Sequence, residues 1–144
     1  MTIKHERERL SALMEIYRQS VYEARTSGGN VALRIGKKSP ALERLCRSHG
    51  MRSALYITAW NPGGLPRVRA ANVRINCELE RDLQRLSEHV WYGAGRSRDG
   101  SWEEESFLAL GISLRDSRRL GRKYRQVAIV WAGRTGVPRI VKTM

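Results

Sequence analysis

The sequence predicts an α+β fold: a mixed sheet with a ferredoxin-like βαββαβ core, preceded by an N-terminal helix and a strand–helix extension. Three observations lead there. From Ala54 onward, apolar runs and helical periodicities follow one another as strand, helix, strand, strand, helix, strand. The two most apolar segments, Ala54–Trp60 and Val127–Ala132, lack the polar alternation of a half-exposed strand and so need cover on both faces; since the first and third strands of a ferredoxin-like core are normally the central ones, this requires a mixed sheet extended by Val31–Ile35. The length of 144 residues suits one domain, because folding at this size hides roughly 70% of the extended chain's surface. Residues 1–28 are expected to hold the N-terminal helix, and residues 31–142 the α+β core.

Leu10, Leu13, Met14, Tyr17 and Val21 recur at three- and four-residue spacing, which predicts an amphipathic helix over Glu6–Glu23. Thr26-Ser27-Gly28-Gly29-Asn30 turns the chain, and Val31-Ala32-Leu33-Arg34-Ile35 alternates as a strand does. Ser39 before Pro40 forms an N-cap, and Leu42, Leu45 and Cys46 supply the apolar face of a short helix that Gly50 ends. After strand Ala54–Trp60, the Pro62-Gly63-Gly64-Leu65-Pro66 break leads into a basic loop with Arg67 and Arg69. Ile75, Leu79, Leu83 and Leu86 predict a helix over Asn72–Glu88. Val90–Gly95 and Glu104–Ile112 are the next strands, joined by a polar turn that contains Asp99-Gly100. Ser113 caps a helix reaching Tyr124; Val127–Ala132 is a buried strand, and Arg139–Lys142 a short edge strand.

The net charge of +13, from 27 basic and 14 acidic residues, favours polyanionic partners: nucleic acid, another phosphate-rich ligand or an acidic protein. The excess is mostly arginine spread along the chain, a pattern that a GC-rich genome also produces. No apolar run approaches the ~20 residues of a membrane helix, and the amino terminus lacks the apolar core of a secretory signal. A cytoplasmic protein without membrane attachment is expected. Cys46 and Cys77 lie in separate predicted helices, as small reduced core residues, and His5, His49 and His89 share no ligand spacing. Neither a metal nor a cofactor is expected.

Several stretches, taken in order, resemble the bacterial proteins grouped as domain of unknown function 3293. They are Val31-Ala-Leu-Arg-Ile-Gly36, Tyr56-Ile-Thr-Ala-Trp-Asn-Pro62, Asn72, Tyr92-Gly-Ala-Gly95, Trp102-Glu-Glu-Glu-Ser-Phe107 with Gly111, and Gln126-Val-Ala-Ile129. The resemblance covers almost everything after the first helix and implies no established activity. Family members often carry a glutamate just before the helix asparagine, where this chain has Ala71. Tyr92 and Gln126, within these stretches, join the ligand-binding candidates.

Thr58 and Asn61 fall at the carboxyl end of a buried strand, where open α/β sheets commonly bind ligands. Asn72, at the start of a helix, either caps free backbone N–H groups or joins Asn61 and Arg74 in holding a phosphate or carboxylate. Glu103, Glu104 and Glu105 are the only dense acidic run. In a strand Glu103 and Glu105 share one face and Glu104 takes the other, so at least one carboxylate must find a partner or line a pocket. If unpaired and pocket-lining, Glu105 is the general-base candidate, with Ser106 or Thr58 beside it; the favoured alternative is internal ion pairing with the abundant arginines. The glycines of Tyr92-Gly93-Ala94-Gly95 could bring backbone close to a ligand. On the last helix, Arg115, Arg118, Arg119 and Arg122 form a basic stripe backed by Leu114, Ser117, Gly121 and Tyr124.

Three functions fit these residues. One is a nucleic-acid or phosphate-ligand module using the stripe with Arg67, Arg69 and Arg74. A second is a small enzyme with Thr58, Asn61, Asn72, Glu105 and Ser106 around one pocket. The third is an interaction protein for an acidic partner.

Overall fold

In the computed structural model, which describes residues 2–144, seven strands form one sheet in the order β2-β1-β4-β5-β3-β6-β7. The strands are β1 Val21–Thr26, β2 Gly29–Arg34, β3 Ala54–Ile57, β4 Val90–Arg96, β5 Glu103–Leu110, β6 Ala128–Ala132 and β7 Arg139–Lys142. Four helices accompany them: α1 Ile3–Gln19, α2 Pro40–Ser48, α3 Arg69–Leu86 and α4 Leu114–Lys123. The fold is therefore α+β, as expected. The sheet is not mixed, because every neighbouring pair is antiparallel. The crossovers through α3 and α4 leave a strand between the segments they join, so no two parallel strands become neighbours.

β3 is flanked by β5 and β6, and all four of its residues are buried. Its alternation divides the core. Leu55 and Ile57 face Leu79, Leu83, Leu120 and Tyr124 of the α3/α4 layer, while Ala54 and Tyr56 face Leu42 and Leu45 of α2. The strand stops at Ile57 rather than Trp60, since side chains instead of a neighbouring strand take up the backbone beyond it. The N-terminal helix also ends early, at Gln19. Ser20 is buried, its hydroxyl donates to the Ile16 carbonyl at 2.5 Å, and Tyr22 and Ala24 then alternate inward along a strand where the periodicity predicts helix. β1 and β2 thus form a hairpin on the β4 side of the sheet, and β7 covers the free edge of β6.

α1 rests on the α2 face through Tyr17, whose ring meets Trp102 at 5.7 Å, and through buried Met14. Arg9 fastens it to the loop after β3 by donating to the Gly63 carbonyl at 2.9 Å. Cys46 is half-buried, but Cys77 is exposed on α3 rather than in the core. No helix among the described residues is long and apolar enough to cross a membrane.

The glycines of β4 serve the sheet, not a ligand. A Cβ on Gly93 would lie 1.9 Å from the Glu23 carbonyl of β1, and one on Gly95 would press on Trp102 and Tyr22 at 3.2 Å. Gly93→Ala must therefore push β1 away from β4, and it should lower unfolding stability by at least the ~1–3 kcal/mol of overpacking. The midpoint of a urea titration would measure this; an unchanged midpoint would refute the close approach.

Candidate functional site

The segments Tyr56–Pro62 and Trp102–Phe107 meet. Ile57 pairs with Phe107, and just past the strand Thr58 Oγ1 donates to the Glu105 carbonyl at 2.6 Å. Two buried asparagines of α3, one turn apart, hold the backbone from Ala59 to Asn61. Asn76 donates to that same Glu105 carbonyl at 2.9 Å and accepts from Ala59 N at 2.8 Å. Asn72 accepts from Asn61 N at 2.9 Å and donates to Asn61 Oδ1 at 2.8 Å. Asn61 itself sits at φ 47°, in the left-handed region that asparagine tolerates better than most residues.

These bonds reassign several expected roles. Asn72 is not at a helix start, because α3 begins at Arg69 with Val68 as its cap and no side chain capping it. Asn61 and Asn72 satisfy one another instead of presenting an anion site. Arg74 does not join them: it is exposed, and two residues along a helix is about 200° of rotation from Asn72. Glu105, the base candidate if unpaired, instead takes the favoured alternative of arginine pairing: it lies 3.2 Å from Arg69 near the surface, and Arg69 also lies 5.7 Å over the Trp60 ring. Tyr92 is exposed and rests on Phe107 at 5.0 Å.

The buried acid is Glu104. β5 turns Glu103 toward Arg96, at 3.5 Å, and Glu105 toward Arg69, while Glu104 enters the opposite face and is only 6% exposed. Among the described residues its carboxylate has no hydrogen-bond or ion partner. Burial pushes its pKa from 4.5 to about 8.

It lines a cavity of about 40 Å³, more than the ~10–15 Å³ that a single water requires. Tyr17 of α1, Tyr22 of β1, Tyr56 of β3, Trp102, Ser106 and Gln126 share the wall, with Thr58 at the strand end. Of the expected site residues, Thr58, Ser106 and Gln126 are thus brought together, whereas Asn61, Asn72, Arg74 and Tyr92 lie elsewhere.

The hydroxyls around Glu104 are mostly engaged. Tyr22 donates to the Tyr17 carbonyl at 2.5 Å, Tyr56 to the Glu23 carbonyl at 2.8 Å, and Ser106 to the Glu104 carbonyl at 2.9 Å. Gln126 Nε2 donates to the carbonyls of Trp60 and Tyr124 at 3.3 and 3.2 Å. The Tyr17 hydroxyl has no hydrogen-bond partner among the described residues, and burial raises its pKa to about 12. Burial raises Tyr22 and Tyr56 as well. Sequence reasoning does not single out Glu104 or the three tyrosines. The Glu-Glu-Glu alternation is the available signal, but both faces of β5 are apolar, so it cannot say which glutamate is covered.

Away from the cavity, Arg115, Arg118, Arg119 and Arg122 stand exposed on α4 while Ser117 and Gly121 are buried beneath them, as expected. Arg119 lies 4.0 Å from Asp116; the other three have no carboxylate partner among the described residues. Arg67 is exposed on the loop before α3. Among the described residues, no three His, Cys, Asp or Glu side chains are grouped to hold a metal.

A family model described as protein of unknown function (DUF3293) matches residues 57–129. The matched span runs from the end of β3 into β6 and includes Thr58, Glu104, Ser106 and Gln126. No curated protein and no solved structure matches the chain.

An acid whose folded pKa is raised holds more protons folded than unfolded, so its contribution to stability is complete below pH 4.5 and is lost as pH rises through about 8. Glu104→Gln removes that loss. Its unfolding free energy relative to the parent should climb from pH 5 to 8 and then level off, with a slope of at most about 1.4 kcal/mol per pH unit, and its melting temperature should rise with it. Thermal melts followed by circular dichroism across this range test it; a pH-independent difference would count against a buried, titrating Glu104.

Proposed function

We propose that this chain, which belongs to the DUF3293 family of proteins of unknown function, binds a small ligand in the Glu104 cavity and exchanges a proton with it there. The observation that carries this reading is the unpartnered, buried Glu104 carboxyl facing a cavity beneath α1. A buried acid without an internal partner is costly to stability, and such groups concentrate at sites where a ligand or a reaction uses them. With a pKa near 8 it is a proton donor at neutral pH that a ligand can convert to an anion.

The strand order β4-β5-β3-β6 supports a ferredoxin-like core in which β3 and β5 lie inside and carry the cavity's floor. The hydroxyls favour binding over nucleophilic catalysis. Thr58 donates to the Glu105 carbonyl, Ser106 donates to the Glu104 carbonyl, and no histidine lines the cavity to activate either.

Nuclear magnetic resonance with a library of small polar fragments tests the reading. Binding fragments should shift the signals of Ile57, Ala128 and Ile129, and Ala128→Leu, which adds bulk at a half-exposed wall position, should abolish those shifts. Fragments that shift the same signals in both proteins, or no binding fragment at all, would sink it.

A second reading, sequence-independent nucleic-acid binding, draws support from the exposed α4 stripe, where Arg115, Arg118 and Arg122 lack carboxylate partners among the described residues. Arg67 could extend that surface, while Arg69 is already engaged by Glu105. Fluorescence anisotropy with a labelled oligonucleotide should then give an affinity that falls steeply with salt. Replacing Arg115, Arg118 and Arg122 together with alanine should weaken it at least tenfold and flatten the salt slope by about one unit per lost phosphate contact. No binding at low salt would rule this reading out.

A further inference from the structure

We propose that the Glu104 cavity is an ammonium site: it takes the primary amine head of a cationic ligand, with Glu104 as counter-ion and the rings of Tyr17, Tyr22, Tyr56 and Trp102 as walls. The inference rests on the cavity being a ligand pocket and goes further by naming the class of ligand.

Charge complementarity is the first argument. The chain has 27 basic against 14 acidic residues, yet among the described residues no lysine, arginine or histidine lines this cavity. Its two neighbours on β5 are matched internally, Glu103 with Arg96 and Glu105 with Arg69, as is Asp82 of α3 with Lys123 at 2.7 Å. Of the α1 cations, Arg9 bears on Tyr17, but each of its three guanidinium nitrogens is engaged elsewhere. It donates to Glu6 through Nε and Nη2, at 3.2 and 2.6 Å, and to the Gly63 carbonyl through Nη1. Glu104 is therefore the one acid of β5 left for a cation from outside the chain.

The walls supply the second argument. Tyr17 and Trp102 meet at 5.7 Å with their rings tilted by 51°, and Tyr22 and Tyr56 meet edge to face at 5.3 Å. Aromatic faces within about 6 Å attract an ammonium and offer an anion nothing. A cavity of about 40 Å³ accommodates a primary ammonium head rather than a bulky quaternary one.

The protonation states fit such a ligand. The titratable groups facing Glu104 are Tyr17 from α1, Tyr22 from β1 and Tyr56 from β3, and burial raises all three, so they stay neutral at physiological pH. Glu104 alone changes state. When the ligand enters as its neutral amine, the Glu104 carboxyl passes its proton to the amine nitrogen, and the resulting carboxylate pairs with the N–H donors of the ammonium so formed.

The test is a carbon-13 nuclear magnetic resonance titration of the Glu104 carboxyl against pH, alone and with ethylammonium, ethanol or acetate. Ethylammonium should lower the titration midpoint by at least one pH unit, ethanol and acetate should leave it in place, and Glu104→Gln should bind ethylammonium at least tenfold more weakly. If ethanol binds as tightly as ethylammonium, or the glutamine variant keeps its affinity for ethylammonium, the ammonium assignment falls while the cavity remains a ligand site. If none of the three probes perturbs any cavity residue, both the assignment and the pocket reading fall.

Discussion

The fold depends on how the chain leaves β3. This strand is hydrogen-bonded on both sides and covered on both faces, so the backbone emerging from it at Thr58–Asn61 has no strand left to pair with. Buried backbone groups without partners cost roughly 1–3 kcal/mol each. Asn72 and Asn76, on one face of α3, meet that demand with their side-chain amides, and Asn76 reaches the Glu105 carbonyl as well. One pair of residues thus ties the end of the central strand to the N-terminal half of α3 and sets the position of β5 relative to both.

That clamp also orients the acidic run. With the Glu105 carbonyl held by Thr58 and Asn76, the alternation of β5 leaves Glu103 and Glu105 on the side where Arg96 and Arg69 reach them. Glu104 is turned the other way, under α1. Gly95 allows Trp102 and Tyr22 to close over the same region, since a Cβ there would press on both rings at 3.2 Å. The unpaired acid and its aromatic surroundings are thus consequences of sheet register and of one missing Cβ, not of a local sequence motif.

The rest of the surface behaves as composition suggests. The α4 stripe is solvated, and its buried side is small because Gly121 brings the helix close to Thr143 and Ile129. Much of the excess positive charge lies on exposed helix faces, which leaves the cavity electrostatically distinct from the surrounding protein.

The α+β class, the burial of Ala54–Ile57 and of Ile129, Val130 and Ala132, the caps at Ser39 and Ser113, and the exposed face of α4 are all legible in the linear chain. Each arises from local periodicity or turn chemistry, which needs no knowledge of distant neighbours. The same reading singles out Tyr56–Pro62 and Trp102–Phe107, but that they meet was decided by the pairing of β3 with β5. Long-range packing was needed to make Val21–Thr26 a strand, because Tyr22 and Ala24 keep their inward alternation only when β2 and β4 lie on either side. Packing also assigned Asn72 to Asn61 rather than to a helix end, and made Glu104 rather than Glu105 the buried acid. The reason is common to all three. In a strand with two apolar faces, or a helix whose partner lies far along the chain, periodicity says which side chains share a face but not what will cover it; here Arg69 reached one side of β5 and α1 closed over the other.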